Sequence, residues 1–268
     1  MAVLHAEVFS ESLMRKVPLT CLIPADKCDY ANLANEKPTP RPYRTLYLLH
    51  GAFGSETDYL MNSRIAAYAD QYKVAIIMPA GENHFYLDGR SGVSDFGTFV
   101  GSELVEITRR LFPLSEKRED TGIAGLSMGG YGAVVNGLMH PETFGSIGML
   151  SAALIQERVI NSTFEEPMPL FNRRYYQEIY KDIDAIKGSE LDYQQQISKM
   201  AKAGQTIPNF FICCGEEDVA CIDDARNYHA LLEELGIAHH YHEGPGGHDW
   251  NYWDENLAKL LAWFTQTK

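Results

Sequence analysis

The stretch "GIAGLSMGGYGA" sets one serine, Ser127, between Gly125 and Gly129 in the pattern G-x-S-x-G. A serine hydroxyl is a poor nucleophile until its surroundings activate it. Glycines two residues to either side suit a sharp strand-to-helix turn that exposes the hydroxyl on a strained backbone. The helix that follows would aim its first N–H groups at negative charge developing beside the serine. The plain alternative is a glycine-rich turn with a serine facing solvent. An apolar strand pattern before the motif and a helical one after it favour the nucleophile.

Such a serine needs a histidine to take its proton and a carboxylate to hold that histidine. In sheet folds of this kind the chain order is Ser, then Asp or Glu, then His. Two late loops fit, "GEEDVACIDD" and "EGPGGHDW", each following a predicted strand. His248 is the base candidate, flanked by Gly246 and Gly247, which let its loop bend back. Spacing alone leaves Glu216, Glu217 and Asp218 open for the acid, with Asp223 and Asp224 read as the cap of the next helix. Acyl transfer also needs two N–H donors for the oxyanion. They are assigned to Met128, the residue after the serine, and to Ala52 in "LLHGAFGS". His50, in the same loop, is read as a brace.

The elements that must position these residues follow from the apolar patterning. "HAEVFSE" and "RKVPLTCLIP" predict an antiparallel strand pair, and "DKCDYANLANEKPTPRPYR" a surface loop. "TLYLLHG", "VAIIMPAG", "TGIAG", "FGSIGMLSA" and "PNFFICCG" are short apolar runs of the kind buried on both faces of a sheet. "HHYHEG" closes the strand series. Helical patterns fall between them, at "SRIAAYADQY", "FGTFVGSELVEITRRLF", "MGGYGAVVNGLMH", "DDARNYHALLEELG" and "DWNYWDENLAKLLAWFTQT". This alternation predicts an α/β fold, a mostly parallel sheet with helices on both faces, in one domain over residues 1–268. Residues 155–205 carry no convincing buried strand and are too long for an ordinary connection. They predict a mostly helical insertion over the sheet edge where ligands bind in such folds.

The chain has 268 residues with 36 acidic and 23 basic side chains, a net charge of −13. That balance argues against nucleic acid or an anionic membrane as partner, since both ask for basic patches. No stretch is long and apolar enough to span a bilayer, and the N-terminus lacks the signature of a secretory signal. Of the five cysteines (Cys21, Cys28, Cys213, Cys214 and Cys221) none forms a CxxC pair, and Cys213 and Cys214 sit in a strand. They read as buried free thiols in a cytoplasmic protein. A homo-oligomer is left open.

With "LLHG", "GLSMGGYGA", "CGEED" and "GPGGHDWNYWD" in this order, the chain resembles the α/β-hydrolase superfamily. More narrowly it is similar to the esterase D-like branch, which includes tributyrin esterases, feruloyl (cinnamoyl) esterases and S-formylglutathione hydrolases. The resemblance runs from "VPLTCLIP" to "WNYWDENLAKLLAWF". It implies Ser127, Asp218 and His248 as a triad, and hydrolysis with no metal or organic cofactor. The departure is at "HGAFGS", where many relatives carry a further glycine or asparagine.

The expected reaction is attack of Ser127 on the carbonyl of a small-molecule ester, with His248 as base and then acid. Because the base must be neutral, activity should rise through roughly pH 6 to 7. Phe53, Phe85, Tyr86, Tyr131 and Trp250 are candidates to line an apolar acyl or aryl pocket, with core packing as the competing role for each. A short-acyl or hydroxycinnamoyl carboxylesterase is the leading reading, and an S-formylglutathione hydrolase-type thioesterase the alternative. Two remoter readings are a metal site at His240, His242 and His248, and a non-catalytic binding protein on the same fold.

Overall fold

The computed structural model describes residues 1–26, 37–166 and 168–267. Cys28 and most of the loop predicted after the first strand pair lie outside the described residues. The chain begins with an antiparallel pair, β1 (Ala2–Ser10) and β2 (Arg15–Ile23), and continues into β3 (Thr45–Leu49). Two helices, α1 (Asp58–Asn62) and α2 (Ile65–Tyr72), lead to β4 (Ala75–Pro79). A long helical passage follows, α3 (Phe96–Thr98) and α4 (Leu104–Leu111) joined by a π-helical turn at Phe99–Glu103. Then come β5 (Thr121–Leu126), α5 (Met128–Met139) and β6 (Ser146–Leu150). Between β6 and the next strand lie α6 (Gln156–Ile160), α7 (Arg173–Ile179) and α8 (Tyr193–Lys202). The chain ends with β7 (Asn209–Gly215), α9 (Ile222–Glu234), β8 (His239–Gly244) and α10 (Trp250–Gln266).

The eight strands form one sheet in the order β1-β2-β4-β3-β5-β6-β7-β8. β2 runs antiparallel to both its neighbours, and the pairs from β4 to β8 are parallel. This is the α/β-hydrolase arrangement. Its two faces are covered by separate layers, and successive residues of one strand feed opposite layers. On β3, Tyr47 and Leu49 join the layer of α4, α5 and α9, whereas Leu46 and Leu48 join that of α2 and α10. That is why a fully buried strand reads as an unbroken apolar run. At some 25 cal/mol per Å² of apolar surface, such two-sided burial is the main stabilising term.

Parallel strands all present their C-terminal ends on one edge, and the loops after β3, β5, β7 and β8 therefore converge there. Asp223 and Asp224 fall in the first turn of α9 rather than at its cap, which is Cys221. Carboxylates there still meet the unsatisfied N–H groups of the helix start. Cys21, Cys213, Cys214 and Cys221 are buried free thiols. No helix among the described residues is long and apolar enough to cross a membrane.

Candidate active site

Ser127 occupies the turn from β5 into α5 at φ +52° and ψ −118°. A non-glycine residue rests there only when its surroundings hold it. Here its N–H donates to the Leu150 carbonyl at 3.0 Å, and its own carbonyl accepts from Ala153 at 2.9 Å. The flanking glycines are dictated by crowding. A Cβ at Gly125 would stand 2.4 Å from the carbonyl carbon of Gly129 and 2.7 Å from the Leu49 carbonyl oxygen.

His248 Nε2 lies 3.0 Å from Ser127 Oγ, and His248 Nδ1 lies 2.8 Å from Asp218 Oδ2. This fits an Nδ1–H donor toward the carboxylate, with Nε2 free to accept the serine proton. Asp218 is buried, and its other oxygen accepts the N–H groups of Ala220 and Cys221, each at 3.2 Å. Burial by itself would raise the Asp218 carboxyl. The His248 hydrogen bond and charge, with the further bonds it accepts, outweigh that and hold it below the ordinary carboxylate value. Glu217 points elsewhere, its carboxylate accepting the Gly246 N–H at 2.5 Å. It thereby ties the acid loop to the histidine loop. Asp249 caps α10 by accepting from Asn251 and Tyr252, which fixes the residue next to His248.

The loop after β3 is braced by His50. Its Nδ1 lies 2.7 Å from the Gly51 carbonyl, and its Nε2 accepts the Gly81 N–H at 2.9 Å. Burial lowers the His50 pKa and favours the neutral ring that this donor–acceptor pair requires. Ala52 and Met128 both border the space above Ser127. As the first residue of α5, Met128 has no carbonyl of its own helix to bond. Among the described residues the Ala52 N–H has no acceptor either.

A cavity of about 390 Å³ opens over this group. Its wall includes Phe53, Phe85 and Trp250, together with Ile155, Arg158, Phe171 and Tyr176 from the segment between β6 and β7. The arrangement offers a hydroxyl, a base, an oriented acid and two N–H groups around one apolar chamber, which is what acyl transfer requires.

The Esterase family matches residues 28–264 of the chain. The chain belongs to that family. An acetyl esterase from Caldicellulosiruptor saccharolyticus is 35% identical over 266 residues, covering 99% of each chain. FphF, a fluorophosphonate-binding serine hydrolase of Staphylococcus aureus, superposes with a TM-score of 0.84 at 28% identity, covering 99% of this chain and 98% of that one. The S-formylglutathione hydrolase FrmB of the same organism gives 0.82 at 28% identity, covering 99% of each. A ferulic acid esterase shares the fold at 21% identity, TM-score 0.71, with 99% of this chain and 98% of that one covered. This protein is thus an esterase D-like α/β-hydrolase, a serine hydrolase of carboxylic esters.

Two aromatic residues expected in the pocket of this esterase lie off the cavity. Tyr86 is buried with its ring against Gly81 and Gly132, and its hydroxyl donates to the His50 carbonyl at 3.0 Å. Tyr131 is turned into the core because α5 is buried on nearly every side, and it packs edge-on between Phe85 and Tyr193 at 5.6 and 6.0 Å. The cavity residues Arg158, Phe171 and Tyr176 escaped the sequence reading. They lie in a segment whose path over the sheet has no periodic signature, and the aromatic run around "RRYY" is the one signal that could have marked them.

The histidines of β8 do not meet His248. The His240 ring stacks on Phe211 at 4.7 Å, and His242 Nε2 lies 2.9 Å from Lys259 Nζ. Among the described residues, the compact group with metal-ligand character is Asp218, Cys221 and His248. There the carboxylate and imidazole face each other, and burial pushes the Cys221 thiol far up, away from the thiolate that binds metals.

Proposed function

We propose that this esterase hydrolyses short-acyl or aryl carboxylic esters through Ser127, His248 and Asp218, by way of an acyl-enzyme. The observation that carries the reading is the relay itself, 3.0 Å from hydroxyl to imidazole and 2.8 Å from imidazole to a buried carboxylate. His248 takes the Ser127 proton as the hydroxyl attacks the ester carbonyl, and Ala52 and Met128 N–H groups receive the oxyanion. The alcohol leaves with the proton from His248. Water, deprotonated by the same ring, then releases the acid.

Residues 155–205 serve as an inserted segment over the site within a single domain. The support is that Ile155, Arg158, Phe171 and Tyr176 all reach the cavity wall. A chamber of about 390 Å³ suits a small acyl group with room for an aryl ring, and the relative named acetyl esterase favours the short-acyl end. One observation favours a second reading, a glutathione thioesterase. Arg158 is a basic residue among those lining the cavity, where an anionic peptide could meet its charge, and FrmB is similar over the whole chain.

Comparing kcat/KM on 4-nitrophenyl acetate, tributyrin, methyl ferulate and S-formylglutathione tests the assignment. A preference of tenfold or more for the acetyl or butyryl esters is expected. A comparable preference for the thioester would replace it with the second reading.

A further inference from the structure

The loop that presents Ala52 carries Phe53 at φ +65°, in the left-handed region where a bulky side chain rarely rests. Such a residue stays in place only if neighbouring groups fix it. The turn over residues 81–87 does so at three points. Gly81 donates to the His50 ring and Tyr86 to the His50 carbonyl, both on the near side of Ala52. On the far side, the Phe53 N–H donates to Asn83 Oδ1 at 2.8 Å. The same Asn83 accepts, on its backbone carbonyl, the hydroxyl of Tyr175 from α7. Phe171, just before the Asn172 cap of α7, sets its ring edge-on to Phe53 at 6.1 Å and to Tyr175 at 5.9 Å.

We propose that Asn83 is a positioning residue for the oxyanion loop, and that its hold on Phe53 is set by the seating of α7 through Tyr175. The inference rests on the serine mechanism proposed above. Its physical content is that one side-chain amide oxygen holds a strained residue adjacent to the donor. With that bond gone, Phe53 relaxes toward negative φ and swings the Ala52 N–H off the oxyanion position. An interaction used only in the transition state is then lost, so kcat falls while KM does not.

Three variants test it on 4-nitrophenyl acetate, a substrate too small to depend on the far wall. Removing an oxyanion donor outright costs about 10²–10³ in kcat, so misaiming one by Asn83→Ala should cost about tenfold to a hundredfold, with KM changed less than about threefold. Asn83→Asp keeps an oxygen acceptor for the Phe53 N–H and should recover kcat to within about threefold of the wild type. Tyr175→Phe should lower kcat about threefold or more at unchanged KM. A methyl trifluoromethyl ketone, whose adduct carries an oxyanion, should bind Asn83→Ala more weakly in step with the loss of kcat/KM. Wild-type kcat in Asn83→Ala, or equal loss in the Ala and Asp variants, overturns the proposal. Should Asn83→Ala fail to fold, Tyr175→Phe decides on the same kcat criterion. Activity surviving in Ser127→Ala would instead overturn the serine mechanism beneath it, a separate result.

Discussion

Gly129 passes so close to Leu49 that a methyl group on it would stand 2.2 Å from the Leu49 carbonyl oxygen. The end of β3, which leads to Ala52, and the start of α5, which carries Met128, thus touch backbone to backbone. No side chain can yield to relieve that contact. Gly129→Ala should therefore destabilise the fold by about 3 kcal/mol or more, at the upper end of overpacking costs. Urea unfolding reads it as a lower midpoint at unchanged slope. A cost below about 1 kcal/mol would mean that the two backbones can part freely.

Asp218 gives a pH signature. Its folded carboxyl is held below the ordinary value, so it binds protons less readily folded than unfolded. The stability this contributes is complete above the unfolded pKa of roughly 4 and is lost as pH falls through the lower folded value. Asp218→Asn should thus lower stability at pH 7, and the gap from wild type should narrow at pH 3, both read by urea unfolding. A gap that stays constant would contradict the pairing. The same variant should lose about 10³–10⁴ in kcat, because an amide no longer selects the working tautomer of His248.

Arg44 anchors the opposite, N-terminal edge of the sheet. Its guanidinium donates to Asp120 Oδ1 at 2.9 Å and to the carbonyls of Phe264 and Thr267 at 2.8 Å, and it lies 5.4 Å from the centre of the Phe264 ring. Arg44→Ala strands several acceptors and the C-terminal end of α10 at once. The expected result is a loss of about 2–3 kcal/mol with kcat/KM on 4-nitrophenyl acetate unchanged. Lost activity in a variant that stays folded would show that this edge communicates with the site.

Substitution of Arg158 would test substrate choice apart from chemistry. Arg158 lines the cavity and lies 3.6 Å from Asp224. Among the described residues it makes no hydrogen bond or ion pair with Ser127, His248 or Asp218, or with the proposed oxyanion donors Ala52 and Met128. Arg158→Gln should leave 4-nitrophenyl acetate turnover within about twofold. Its rate on S-formylglutathione should fall about fivefold, the upper worth of one exposed ion pair with a charged ligand. Equal losses on both substrates would give Arg158 a structural role instead.

Much of this was legible in the sequence because two-sided burial writes itself as an unbroken apolar run, as in "TLYLL" and "AIIMP". The glycine spacing around Ser127 was legible for a related reason, since backbone contact leaves no other residue. The sheet order β2-β4-β3-β5 was not, because crossovers depend on packing between distant segments. α1, five residues long, is too short to show a period, and the π-helical turn at Phe99–Glu103 hides inside one continuous helical pattern. Tyr86 and Tyr131 look like pocket residues by proximity to the motifs, yet an all-round buried helix gives no amphipathic cue to tell cavity from core. Asn83 and Tyr175, 92 positions apart, carry no local mark of their meeting.

The most direct measurement is the turnover of 4-nitrophenyl acetate by folded Ser127→Ala beside the wild type. If the hydroxyl 3.0 Å from His248 Nε2 is the nucleophile, kcat should fall by about 10⁵ or more, to the residual rate that binding and the oxyanion donors alone support. A variant that keeps its melting temperature and a tenth of the wild-type rate would contradict the account.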